Sequence, residues 1–190
     1  MEENFSPQQS LALIQSMIVK AKANLAENRI YFLFWGWITF VAILTQFILK
    51  LWFQYEQHYL VWLITIPAAV ITVIYSVRYE SQGRVRTFVG DSMSALWVGM
   101  GISFGVLSFV ISQLPGGWEY CWPFFILFYG LGTFVSGMLI QFRPLVVGGI
   151  INWVLAVVCT FLPFDYQLLM GAVAILTSYI IPGHLLPAKK

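Results

Sequence analysis

Six apolar runs divide this chain, each about as long as the hydrocarbon core of a bilayer is thick, and a run of that kind can be buried in few ways. They lie at about Ile30 to Leu51, Tyr59 to Val77, Met93 to Ser112, Cys121 to Phe142, Leu145 to Pro163 and Gln167 to Leu185. A helix rises about 1.5 Å per residue, so about 20 such residues cross the core. The spans take most of the 190 residues, which leaves no room for a separate soluble catalytic module. Only 9% of residues are charged, against about 25% in an average soluble domain, too few to cover a water-facing surface. The expected fold is all-α and polytopic, with six transmembrane helices in residues 30–190 behind an amphipathic helix in residues 1–29.

The amphipathic helix is predicted from Ser6 to about Asn28. Ser6 can act as N-cap, Pro7 suits the first helical position, and Gln9 can reach back as in a capping box. Leu11, Ile14, Ile18, Ala21 and Leu25 share one face, while Gln15, Lys20, Lys22 and Glu27 take the other. Such a helix lies on the cytoplasmic leaflet, docks a protein partner, or packs on its own bundle. The first apolar run begins only behind this polar segment, with no small-residue cleavage site after a short core, which argues against a cleaved signal peptide.

If the spans alternate from a cytoplasmic N-terminus, Lys20, Lys22, Arg29, Arg78, Arg84, Arg86, Arg143, Lys189 and Lys190 all fall inside, nine of the ten basic residues. Only Lys50 falls outside, with Glu56, Glu119 and Asp165. Basic residues in short loops hold their loop on the side of synthesis, so both termini are expected there. Lys20, Lys22, Arg78, Arg84 and Arg86 form a candidate cytoplasmic contact surface for anionic lipid or a protein. A net charge of +2 without a basic, aromatic-studded surface gives no reason to expect nucleic acid. Trp52, Tyr55, Tyr59, Trp62, Trp118, Tyr120, Trp122 and Tyr166 gather near the outer boundary as an interfacial belt, whereas Trp35, Trp37, Trp97 and Trp153 read as packing residues. Pro67 should kink the second span.

The stretch Leu127 to Gly149 holds the densest set of small residues, including Gly130, Gly132, Ser136, Gly137, Gly148 and Gly149, with a turn at Arg143-Pro144. Small residues let helix backbones approach closely in lipid, where apolar burial between helices drives nothing. Gly101 and Gly105 form a second such face. Gln46 and Asn152 are the most polar deep side chains, and Asn152 is a candidate for an interhelical hydrogen bond or a solute contact. LFYGLGTFVS (127–136) echoes LFWGWITFVA (33–42), and Met100 to Ile111 more weakly echoes Met170 to Ile181. The echoes pair spans one and four, and three and six, which suggests a 3+3 inverted repeat; chance resemblance between apolar helices is the other reading.

Motifs for chemistry are weak. Gly101-Ile102-Ser103-Phe104-Gly105 matches the G-x-S-x-G pattern, but a nucleophile elbow needs a strand entering a tight turn, and this match is inside a span. Ser136 with His184 lacks a third group to orient the histidine. His58 and His184 fall on opposite sides, so no metal or cofactor is expected. Cys121 and Cys159 lie toward the outer ends of neighbouring spans, either as free thiols or as a disulfide. Asp91, after Gly90, reads as a cap of the third span. No acidic or basic residue lies mid-span, where ion-coupled transporters place one.

AKANLAENRIYFLFWGW (21–37), LFYGLGTFVSG (127–137), FRPLVVGGIINW (142–153) and YIIPGHLL (179–186) together resemble an uncharacterised family of small bacterial inner-membrane proteins. The resemblance implies a multi-pass protein of the bacterial cytoplasmic membrane, without an assigned activity or site residues. Two functions follow as expectations: a non-enzymatic accessory, sensing or assembly component acting through protein or lipid contacts, or a small carrier or channel for a neutral or hydrophobic solute. Either is compatible with a homodimer.

Overall fold

The computed structural model describes the backbone of residues 7–80 and 88–186 and the side chains of residues 29–78 and 88–186. Every regular element among them is helical. α1 (Pro7–Leu51) is a single helix of 45 residues. The predicted amphipathic segment and the first span are thus continuous, without the boundary expected near Asn28. No glycine or proline stands between Pro7 and Gly36 to interrupt the hydrogen-bond ladder. The side chains of the amphipathic face, Lys20 and Lys22 among them, lie outside the described residues.

A 3₁₀ turn (His58–Ile64) leads into α2 (Thr65–Glu80). Pro67 has no N–H to give the carbonyl of Leu63, and the chain is wound more tightly just before the proline. The Thr65 hydroxyl meets the Trp62 carbonyl at 2.6 Å. α3 (Phe88–Gln113) follows, then a 3₁₀ turn (Gly117–Tyr120) into α4 (Cys121–Leu139), and α5 (Arg143–Cys159). α6 (Phe164–Ile175) passes through a π turn (Leu176–Ile180) into α7 (Ile181–Leu185). The Ile181 N–H reaches back five residues to the Leu176 carbonyl. Pro182 then has no N–H for Ser178, so a wider turn takes the place of a regular one.

The link between α4 and α5 lies a little before the expected Arg143-Pro144. Gln141 takes a left-handed conformation at φ 55°; its N–H donates to Met138 O and that of Phe142 to Gly137 O. This is a Schellman ending with glutamine where glycine is usual. Arg143 and Pro144 then open α5, proline being favoured there because its N–H would be unpaired anyway.

Five segments are long and apolar enough to cross a bilayer: Arg29–Leu51, His58–Arg78, Phe88–Gln113, Gly117–Leu139 and Phe164–Leu185. The fifth predicted run, Arg143–Cys159, is shorter at 17 residues. α4, α5, α6 with its π turn, and the C-terminal half of α1 form the core, with α2 laid against α1 and α3 against α4. Among its described side chains α2 buries only Ala68, while Ile66, Val70, Val73 and Val77 stand more than half exposed. Water would leave that apolar surface uncovered, whereas lipid tails solvate it.

The two echoing decapeptides bury the same face. Gly36, Thr39 and Ala42 are buried on α1, and Gly130, Thr133 and Ser136 on α4, while Trp37 and Leu131 point outward. Their partners differ: Gly36 meets Tyr179 and Ile180, Gly130 meets Trp153 and Asn152.

Candidate functional site

Among the described helices, α4 and α5 share the most extensive contact, a crossing built on glycines. A methyl group on Gly137 would lie 2.7 Å from the Val146 nitrogen, one on Gly149 2.7 Å from Phe134 Cβ, and one on Gly130 2.8 Å from Trp153 Cδ1. No side chain fits at those separations. Each step along α4 from 137 to 134 to 130 is matched by an equal step back along α5 from 146 to 149 to 153, so the helices run antiparallel in constant register. At that register Cys159 falls level with Phe124, and α5 retraces almost all of α4.

Gly148 faces the other way, onto the π turn, where a methyl would stand 2.7 Å from Thr177 O. Gly132 faces α3, where a methyl would stand 3.2 Å from the Trp97 ring. Gly130, Gly132, Gly137, Gly148 and Gly149 are therefore all positions of close approach between helices. Gly101 and Gly105 are not: a Cβ on either meets nothing within 4 Å, and both sit on the outward face of α3. Their G-x-S-x-G pattern lies in unbroken helix, with no elbow.

Asn152 is fully buried and its Nδ2 donates to Ser178 Oγ at 3.2 Å, joining α5 to the π turn. Ser178 Oγ in turn donates to Ala174 O at 2.6 Å. Asn152 Oδ1 and the buried Ser136 hydroxyl have no partner. His184 is exposed at the end of the last helix and makes no hydrogen bond with Ser136. Beside Ser178, Tyr179 is ringed by Phe32, Trp97 and Tyr129 at centroid distances of 5.4, 6.0 and 5.8 Å. Neither Ser178 nor Tyr179 was singled out from sequence; Pro182 four residues after Ser178 was the available signal.

A second cluster, of which the sequence marked only Gln46 as a deep polar residue, closes the end of the bundle where α1 stops. Lys50 pairs with Asp165 at the start of α6 and lies 4.2 Å over the Phe164 ring. Gln46 is buried, accepts from Trp62 Nε1 at 2.7 Å and bonds His58 Nδ1 at 3.1 Å. Span alternation put Lys50 and Asp165 at one membrane face, which was the clue to their pairing.

Several sequence assignments need correcting. Trp122, placed in the interfacial belt, is 3% exposed and stacks into the space above Gly171, with Trp62 at 5.8 Å. Trp37, read as a packing residue, faces outward, because it flanks Gly36 on the far side of α1. α3 starts at Phe88, so Asp91 lies inside its first turn rather than capping it. Cys121 and Cys159 are buried free thiols. Arg78 is exposed at the end of its span, while Arg84 and Arg86 lie outside the described residues. Compared with family models, curated proteins and solved structures, the chain matches none of them.

Proposed function

We propose that this chain is a non-enzymatic accessory, sensing or assembly component that works through contacts within and at the surface of a membrane. The observation that carries this reading is the state of Asn152, whose amide N–H is taken up by Ser178 in a centre closed by glycine contacts at Gly130, Gly148 and Gly149. A solute pathway would need that group to face an open polar space. In this reading α5 is a sixth crossing, since it retraces α4, and residues 160–162 continue it with three further turn hydrogen bonds. Six crossings put both termini on one side, and the basic residues favour the cytoplasmic side of a bacterial inner membrane. The N-terminal helix, with Lys20 and Lys22, and the Arg78, Arg84, Arg86 loop then offer the surfaces for a protein partner. A homodimer belongs to the same proposal: on α3, Val98, Ile102 and Val106 stand as a stiff ridge beside the open Gly101 and Gly105, a form that complements itself.

The carrier reading draws on the shared buried face of the two decapeptides and the unpaired Asn152 Oδ1. Liposomes loaded with neutral solutes separate the two. The contact reading expects no flux above protein-free vesicles, together with a specific cross-linked partner that is lost when residues 1–28 are deleted. Saturable flux, or cross-links indifferent to the deletion, would overturn it.

A further inference from the structure

A groove of about 380 Å³ opens on the outer surface between α5 and the last turns of the chain. Val147, Gly148 and Ile151 wall one side, Thr177, Ile181 and Pro182 the other, and Arg143 stands at its edge. Gly148 and Thr177 form its floor, where the two backbones come so close that a methyl on Gly148 would stand 2.7 Å from Thr177 O. Arg143 belongs to the link between two crossings and Pro182 to the end of the last, so both sit at one end of the bundle whichever way it is inserted. From Arg143 to Ile151 the helix carries the groove about 12 Å toward the membrane interior.

The lining offers a ligand almost nothing polar. The Thr177 hydroxyl is turned back onto the carbonyls of Val173 and Ala174, at 2.9 and 3.1 Å. Arg143 is exposed, and no carboxylate pairs with it among the described residues. An apolar channel entered at headgroup depth past a guanidinium with no carboxylate partner among the described residues complements a phosphate carried on an acyl chain. The guanidinium fork matches phosphate oxygens two at a time, and basic residues at a membrane surface favour anionic over zwitterionic lipid.

We propose that this groove binds an anionic phospholipid, with the phosphate on Arg143 and one acyl chain along Val147 and Ile151. The proposal rests on the contact reading and names its ligand. The test uses the full chain in nanodiscs of phosphatidylcholine with a minor share of phosphatidylglycerol, and native mass spectrometry to count the lipids kept on release. Phosphatidylglycerol should be retained about five-fold over its share, the scale of one basic residue near a surface. Arg143→Gln, an exposed position, should bring retention to parity, Arg143→Lys should recover part of it, and Val147→Trp should remove the retained lipid. Parity in the unaltered protein, or a preference that survives Arg143→Gln, would overturn the site. So would efficient cross-linking of Ile181→Cys to a second copy, which assigns the groove to a dimer. Solute flux would sink the contact reading without moving the lipid count, and parity would sink the lipid site without moving the captured partner, so the two failures are told apart.

Discussion

Lys50 at the end of α1 and Asp165 at the start of α6 are joined across 115 positions of sequence by one ion pair, with the Phe164 ring beneath the ammonium. Both side chains are about a third exposed, at 32% and 35%. Exposed pairs contribute up to about 1 kcal/mol, and a cation over an aromatic face about as much again. A double-mutant cycle on Lys50→Ala and Asp165→Ala, read by reversible unfolding in mixed micelles, should give a coupling of about 0.5–1 kcal/mol. Additive losses would mean that the pair does not hold α1 to α6.

Glycines of like sequence setting should divide sharply. Gly149→Ala places a methyl 2.7 Å from Phe134 Cβ and 2.8 Å from Gly130 O, and forcing α4 from α5 should cost about 1–3 kcal/mol. Gly105→Ala meets nothing, so the folded monomer should gain up to about 1 kcal/mol from helix propensity. The same substitution should weaken the homodimer, seen as less cross-linked dimer at equal protein-to-lipid ratio. Equal monomer stabilities for both variants would contradict the crossing.

At Gln141 the left-handed backbone calls for a residue without a Cβ. Gln141→Gly should raise the unfolding midpoint, by about 0.5–1 kcal/mol in free energy. A loss of stability would show that the glutamine side chain supports the turn.

Asn152 brings one satisfied and one unsatisfied group into the core. An interhelical hydrogen bond in a membrane protein is worth about 0.6 kcal/mol, while a buried orphan acceptor costs about 1–3 kcal/mol. Asn152→Leu should therefore be neutral or slightly stabilising, and Asn152→Asp should be strongly destabilising because it buries a charge. A Leu variant several kcal/mol less stable would mean that Oδ1 has a partner after all.

Topology is checked by single cysteines introduced at Arg84 and Lys190 in a background lacking Cys121 and Cys159. Both should react with a membrane-impermeant maleimide only from the cytoplasmic side. Labelling from opposite faces would reduce the crossings to an odd number.

The run lengths, the hydropathy and the lack of mid-span charge were enough to specify helices and to place every apolar segment within a few residues, because a backbone in lipid must satisfy its own hydrogen bonds. The small residues of Leu127 to Gly149 lie at the α4–α5 crossing, where a larger side chain would hold the two backbones apart. Tertiary structure decided what no local rule contains. Which side of a uniformly apolar helix turns inward depends on its neighbours, so Trp122 went in, Trp37 went out, and Gly101 and Gly105 were left open while Gly130 and Gly149 were closed. Lys50 found Asp165, and Asn152 found Ser178, only once distant helices met, since a pair so far apart in sequence leaves no spacing to read.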